Sequence, residues 1–174
     1  MLNTQYFIPN LDEGLFERIL LETKKIGYYS LPEQNLDYPH EYLEKLDFKH
    51  ELETINDVVV VGIGGSSLGA KAVYNFLKPL NNLARRLHFL DSTDPIAINS
   101  CCQKLNLNTS HFLIISKSGT TIETIAIYKY LRGITSNSPQ NGAPFTFITD
   151  KGSALEEHAS DINALVVNIP DNVG

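Results

Sequence analysis

The stretch Asp57-Val58-Val59-Val60-Val61-Gly62-Ile63-Gly64-Gly65-Ser66-Ser67-Leu68-Gly69 decides the fold. Four successive valines between an aspartate and a run of glycines read as a short strand buried on both faces. β-Branched side chains suit a pleated backbone and are stiff in a helix. The glycines permit a tight turn. A helical pattern over Ser67–Phe76 follows and stops near Pro79. Strand, glycine turn and helix together make the first half of a βα unit.

The same alternation runs on downstream. Strands are expected at Arg86–Leu90, Phe112–Ile115, Phe145–Ile148 and Ala164–Val167. Helices are expected at Asp94–Leu105, opened by Asp94-Pro95, at Thr121–Leu131 and at Gly152–Ala159. Upstream the texture differs. Leu11–Ile26 reads as an amphipathic helix that Asp12 could cap and Gly27 could stop. Leu31–Pro39 reads as an irregular crossing segment, and Glu41–Ile55 as a second helix. The expected architecture is therefore α/β: a three-layer α/β/α domain on a five-stranded parallel sheet, preceded by short amino-terminal helices. Right-handed crossovers put every strand's carboxyl end on one edge, where ligands of open α/β sheets bind.

Bulk properties narrow the chemistry. With 174 residues, 43% hydrophobic and 20% charged, the chain suffices for one domain with a sizeable core. A formal net charge of −6 argues against a nucleic-acid binder held by a basic surface. It also means that an anion site must be built locally. Cys101 and Cys102 are adjacent, which suits neither a structural disulfide nor metal spacing. Reduced thiols on a helix, in a reducing compartment, are the expectation. Met1–Asn10 lacks the basic start of a signal peptide, and no apolar run has the length of a bilayer span. A cytoplasmic protein without membrane or nucleic-acid partners is expected.

Two strand-to-helix turns can hold an anion. At Gly62–Gly69, glycines let a ligand approach the backbone, helix-start N–H groups face outward, and Ser66 and Ser67 add hydroxyls. The glycine spacing fits neither the dinucleotide fingerprint nor a Walker A loop. A plain tight turn with a capping serine is the alternative. The second turn, Ser116-Lys117-Ser118-Gly119-Thr120-Thr121-Ile122-Glu123-Thr124, packs five hydroxyl residues and one lysine into nine positions. Phosphate needs short donors and positive charge, and this segment supplies both. Ser116, Ser118 and Thr121 could surround it, Lys117 could add a point charge, and Thr124 shares the helix face of Thr121. An ordinary capping cluster is the alternative. A phosphate on Ser116–Thr121 with a sugar body reaching toward Gly64–Ser66 would bridge the two. Asp91–Pro95 reads mainly as a turn and cap. The five histidines are scattered without metal-ligand spacing.

These residues resemble the glucose-6-phosphate isomerase family. Gly62–Ser66 after a valine strand is similar to its first glycine turn, and Ser116–Thr124 to its phosphate loop. Phe147–Lys151 resembles its fourth-strand ending, and Ile169–Gly174 the start of its central signature. The resemblance runs from about Val58 onward and implies a sugar-isomerase (SIS) fold, flavodoxin-like, over 56–174, with 1–55 a helical segment packed on it. It implies a substrate-binding set of Gly65, Ser66, Ser116, Lys117, Ser118, Thr121 and Thr124. It implies interconversion of glucose 6-phosphate and fructose 6-phosphate through a cis-enediol, without metal or organic cofactor, in a longer homodimeric protein with a second SIS domain. Ser118 stands where the family usually has threonine. The resemblance implies no catalytic assignment on this chain, because most of the family's catalytic residues, its arginine, glutamate base, histidine and late lysine, would lie beyond Gly174. The isolated chain is therefore expected to be inactive or nearly so. The alternatives are a non-catalytic phosphosugar-sensing SIS module, another sugar-phosphate isomerase, or the isomerase half of an aminotransferase.

Overall fold

The structure, a computed structural model, describes residues 13–23, 25–27, 29, 38–50, 52–79, 85–135, 144–170 and 173. The chain divides into two compact units, one of Met1–Leu36 with Pro170–Gly174 and one of Asp37–Ile169.

The first unit contains helix α1, Glu13–Glu22. It is shorter than the Leu11–Ile26 expected from the pattern. Thr23 Oγ1 donates to the Leu20 carbonyl at 2.7 Å, a side-chain bond that competes with helix continuation. Lys25 N–H and Ile26 N–H both turn back to the Glu22 carbonyl, so the chain leaves the helix before Gly27. The expected Asp12 cap lies outside the described residues.

The second unit opens with α2, Tyr38–His50, and a single 3₁₀ turn at Leu52–Thr54. Then strand and helix alternate: β1 Asp57–Val61, α3 Gly65–Leu77, β2 Arg86–Leu90, α4 Pro95–Cys102, β3 Ser110–Ile115, α5 Ile122–Thr135, β4 Phe145–Thr149, α6 Ala154–Asp161 and β5 Leu165–Asn168. All neighbouring strands are parallel, in the order β2-β1-β3-β4-β5. The expected five-stranded parallel sheet is present, and β2 has the bounds read from the sequence. β3 starts two residues earlier than the apolar run, because Ser110 and His111 are buried although polar. Ser110 Oγ donates to the Asn106 carbonyl at 2.8 Å, and His111 Nε2 meets Thr146 Oγ1 at 2.9 Å. Those bonds offset the cost of burying polar atoms.

Period-2 alternation sorts the sheet residues onto two faces. Val59, Val61, Phe112, Ile114, Phe145 and Phe147 form one core with Ile127, Tyr128 and Leu131 of α5 and Leu155 and Ala159 of α6. Cys101 and Cys102, free thiols at the end of α4, pack on its edge. Partial burial pushes both thiols above their ordinary range, which disfavours the thiolate. On the opposite face Leu46 of α2 joins Ile55 and Leu165, with Tyr42 and Val58 against them. Helix α3 covers the β2 side of that face through the Tyr74–Phe89 ring contact.

The strand order has a reversal point. From β1 the chain crosses to β2 on one side and then returns past β1 to β3. The helices leaving β1 and β3 therefore go to opposite faces, and a crevice opens between the two strand ends.

Candidate functional site

Both donor-rich turns sit at that crevice, on neighbouring strands. β1 and β3 pair through Val61↔Ile114. Gly62 then lies so close to β3 that a Cβ there would meet the Ile115 carbonyl oxygen at 3.1 Å and Ser66 Cβ at 2.7 Å. Only a glycine lets the first turn pass this near the second. Gly64 takes φ 59° and ψ −123°, a conformation that side-chain-bearing residues rarely adopt. This sharp bend starts α3 at Gly65, directly above the strand. No side chain caps the helix. Ser67 is buried and donates to the Gly64 carbonyl at 3.3 Å, so it braces the turn from inside. Gly65 is exposed and Ser66 half-buried at the helix start.

The second turn is wound tighter. Ser116 continues the sheet by donating its N–H to the Ile148 carbonyl at 3.0 Å. Its side chain is buried and donates to Thr121 Oγ1 at 2.9 Å. The Thr121 N–H approaches Ser116 Oγ at 3.4 Å. One pair of hydroxyls thus closes the loop from 116 to 121. Ser118 Oγ accepts from the Thr120 N–H at 3.2 Å and shares a hydrogen bond with Thr120 Oγ1 at 2.9 Å. Lys117 and Ser118 are exposed. Among the described residues Lys117 makes no ion pair, so its charge is available to an anion. The first-turn N–H groups of α5 follow immediately, without intrahelical acceptors.

Thr124 is placed differently from the rest. Its side chain is fully enclosed, and its hydroxyl has no partner among the described residues. Contact with a ligand would require the first turn of α5 to open. The structure brings together Gly65, Ser66, Ser116, Lys117, Ser118 and Thr121 around one edge and sets Thr124 beneath it.

Residues without an assigned role in the sequence reading hold the loop from below. Asp150 N–H and Thr149 Oγ1 both donate to the Lys117 carbonyl, at 2.9 and 3.2 Å. Thr149 Oγ1 also bonds Ser153 Oγ at 2.9 Å. Ser153 caps α6 by accepting the Glu156 N–H at 3.2 Å. Gly119, at φ 68°, lies against Ser153 and Leu155, where a Cβ would sit 2.9 Å from Ser153 Cβ. The sequence signal was present in Thr149, Asp150 and Ser153 at a strand end, but their hydroxyls could equally have been a simple cap.

Neighbouring candidates resolve into structure. Asp94 Oδ1 accepts the Ile96 N–H at 2.9 Å, so this aspartate caps α4. Asp91 pairs with Lys71 of α3 at 2.8 Å. His88 meets Asp57 at 2.8 Å and His158 meets Tyr128 at 2.7 Å. A hollow of about 600 Å³ between α4 and α5 is lined mainly by apolar side chains, among them Ile96, Ile98 and Ile127, and by no lysine, arginine or histidine.

A doubly wound parallel domain with two glycine- and hydroxyl-rich turns at its reversal point is the class to which phosphosugar isomerase domains belong. The phosphoglucose isomerase family model matches residues 41–149. The chain belongs to the phosphoglucose isomerase family. It is 37% identical to a glucose-6-phosphate isomerase of Campylobacter jejuni, over the whole of this chain and 44% of that protein. It is 38% identical to one of Methanocaldococcus jannaschii, over 76% of this chain and 32% of the relative. The chain thus spans less than half the length of the curated relatives it matches. Among solved structures, a hypothetical protein of Thermus thermophilus superposes with a TM-score of 0.73 at 28% identity, covering 97% of this chain and 43% of that one. A glucose-6-phosphate isomerase of Chlamydia trachomatis gives 0.67 at 27% identity, over 78% of this chain and 26% of that one. Among the described residues no helix is long and apolar enough to cross a membrane.

Proposed function

We propose that this chain is the phosphate-gripping portion of an aldose–ketose isomerase that interconverts glucose 6-phosphate and fructose 6-phosphate. The observation that carries this reading is the approach of Gly62 to Ile115, which sets two donor-rich turns side by side at one crevice. The phosphate sits over the loop 116–121. Exposed Ser118, the Lys117 ammonium and the Thr121 end of the Ser116–Thr121 pair serve it, together with the amino end of α5. The sugar body extends toward Gly65 and Ser66. Thr124 supports the helix start from beneath.

Aldose–ketose conversion moves a proton between C1 and C2, which requires a base within hydrogen-bond reach and charge stabilisation of the enediolate. The grip described here supplies binding and orientation. The base, by family membership, belongs to the remaining length that the relatives carry, so the 174-residue chain binds without turnover. The parent needs no metal or organic cofactor. It works in the cytoplasm as a homodimer with a second SIS domain. Family membership supports these last points.

Calorimetric titration of the chain with a panel of ligands tests the reading. Fructose 6-phosphate should bind more tightly than glucosamine 6-phosphate or a heptose phosphate, and unphosphorylated fructose should not register. Preference for the amino sugar phosphate, or equal binding of fructose with and without phosphate, would replace this reading with another.

A further inference from the structure

The hydrogen bonds under the loop 116–121 form a directed chain. Thr149 has one hydroxyl proton, and it goes to the Lys117 carbonyl. In its bond with Ser153, Thr149 Oγ1 must then accept, so Ser153 donates. Ser153 Oγ in turn accepts the Glu156 N–H at the start of α6. The order is Glu156 N–H to Ser153 O–H to Thr149 O–H to Lys117 C=O. Every member donates in the same sense, so each bond polarises the next. The Asp150 N–H adds a second donor to the same carbonyl.

That carbonyl belongs to the peptide joining Lys117 to Ser118. The peptide is planar and trans, with no cis bond in the described chain. Fixing its C=O toward β4 and α6 therefore points the Ser118 N–H the opposite way, out of the loop. Among the described residues this N–H has no acceptor within the chain. Gly119 makes the arrangement possible, because any Cβ there would collide with Ser153.

We propose that Thr149 and Ser153 are positioning residues that aim the Ser118 backbone N–H at the ligand phosphate. The inference rests on the phosphate-site reading above and goes further by naming what orients the loop. Neither side chain touches the ligand; both act through the Lys117 peptide. Asp150 N–H alone holds the carbonyl at one point and leaves the peptide free to rock. The second donor fixes its plane.

The test uses Thr149→Val, which keeps the shape and removes the hydroxyl, Thr149→Ser, which restores it, and Ser153→Ala. Two readouts are taken on the 174-residue chain. The first needs no ligand: hydrogen exchange at the Asp150 and Gly119 amides should speed up about ten-fold in Thr149→Val, the equivalent of one hydrogen bond. The β3 amide of Phe112 should not change. The second is affinity for fructose 6-phosphate, which should fall about ten-fold in Thr149→Val and return to within about two-fold in Thr149→Ser. Ser153→Ala should show the same exchange signature with a smaller loss. Unchanged exchange at Asp150 and Gly119 in both Thr149→Val and Ser153→Ala overturns the proposal, whether or not ligand binds. A purely structural role, seen as a lower melting temperature with affinity intact, also overturns it. If the unaltered chain binds no phosphosugar, the phosphate-site reading fails instead, and the exchange data still decide whether the relay orders the loop.

Discussion

Glycines at two positions decide whether the site can exist. Gly119 combines positive φ with a wall of Ser153 and Leu155 atoms at 2.9–3.1 Å. Gly119→Ala should therefore cost about 1–3 kcal/mol of stability, through backbone strain and collision together. Urea unfolding checks this; a loss under about 0.5 kcal/mol contradicts it. Gly62→Ala meets the Ile115 carbonyl and should separate the two turns, weakening phosphosugar binding more than Gly65→Ala, where added bulk meets nothing. At this scale the sequence was legible in the residue types and blind to their partners. The density of hydroxyls in 116–124 pointed to a phosphate loop. Nothing in it announced that Ser116 is buried against Thr121 or that Thr124 is enclosed. Both placements depend on which way a helix rolls against its sheet, and the local sequence does not carry that.

Elements were the most legible level, because most strands carry a β-branched or aromatic run bounded by turn residues. The misplacements have local causes. β3 reaches back to Ser110 because polar side chains found partners, and α1 stops at Glu22 because Thr23 bonds backward. Packing of α5 rests on Ile127, Tyr128 and Leu131, all buried. Leu131→Ala should cost about 2–5 kcal/mol, since Leu131 is fully buried in the core and its truncation leaves a cavity there. The amino end of β1 offers a pH prediction. Asp57 is enclosed, bound by both Arg86 Nε and Nη2 at 2.8 Å and by His88 at 2.8 Å. Burial pulls its carboxyl upward, and the hydrogen bonds from Arg86 and His88 more than reverse that, holding it below the usual range. A lowered folded value means that the stabilisation is fully present above the unfolded value of about 4 and is lost as pH falls through the lower folded one. Asp57→Asn should be less stable than the parent at pH 7, with the gap closing below about pH 4. Denaturation midpoints across that range check it, and a gap that stays constant contradicts it.

At the scale of the whole molecule, α3 carries an apolar face that the described chain leaves open. Leu68, Val73 and Phe76 are 61%, 59% and 73% exposed, whereas Ser67 is the buried residue of this helix. Replacing Val73 and Phe76 together by serine should leave stability within about 0.5 kcal/mol and reduce self-association in sedimentation measurements. A stability loss above 2 kcal/mol would mean that these side chains are packed after all, on the large-to-small scale of about 2–5 kcal/mol. Fold class and family were readable from 58 onward, because the valine strand, the two turns and their spacing are contiguous features. The reversal between β1 and β3, which sets the two turns side by side, required the sheet order, and strand order is a long-range property. The central claim is that these two turns form one phosphosugar site. It is tested most directly by following the backbone amides of the 174-residue chain by NMR during titration with fructose 6-phosphate, with inorganic phosphate and unphosphorylated fructose alongside. The account predicts shifts concentrated at Ser116–Thr121 and at Gly64–Ser66, with the second group moving only for the phosphosugar. Shifts confined to other surfaces, or saturation by fructose 6-phosphate with both turns unmoved, would contradict it.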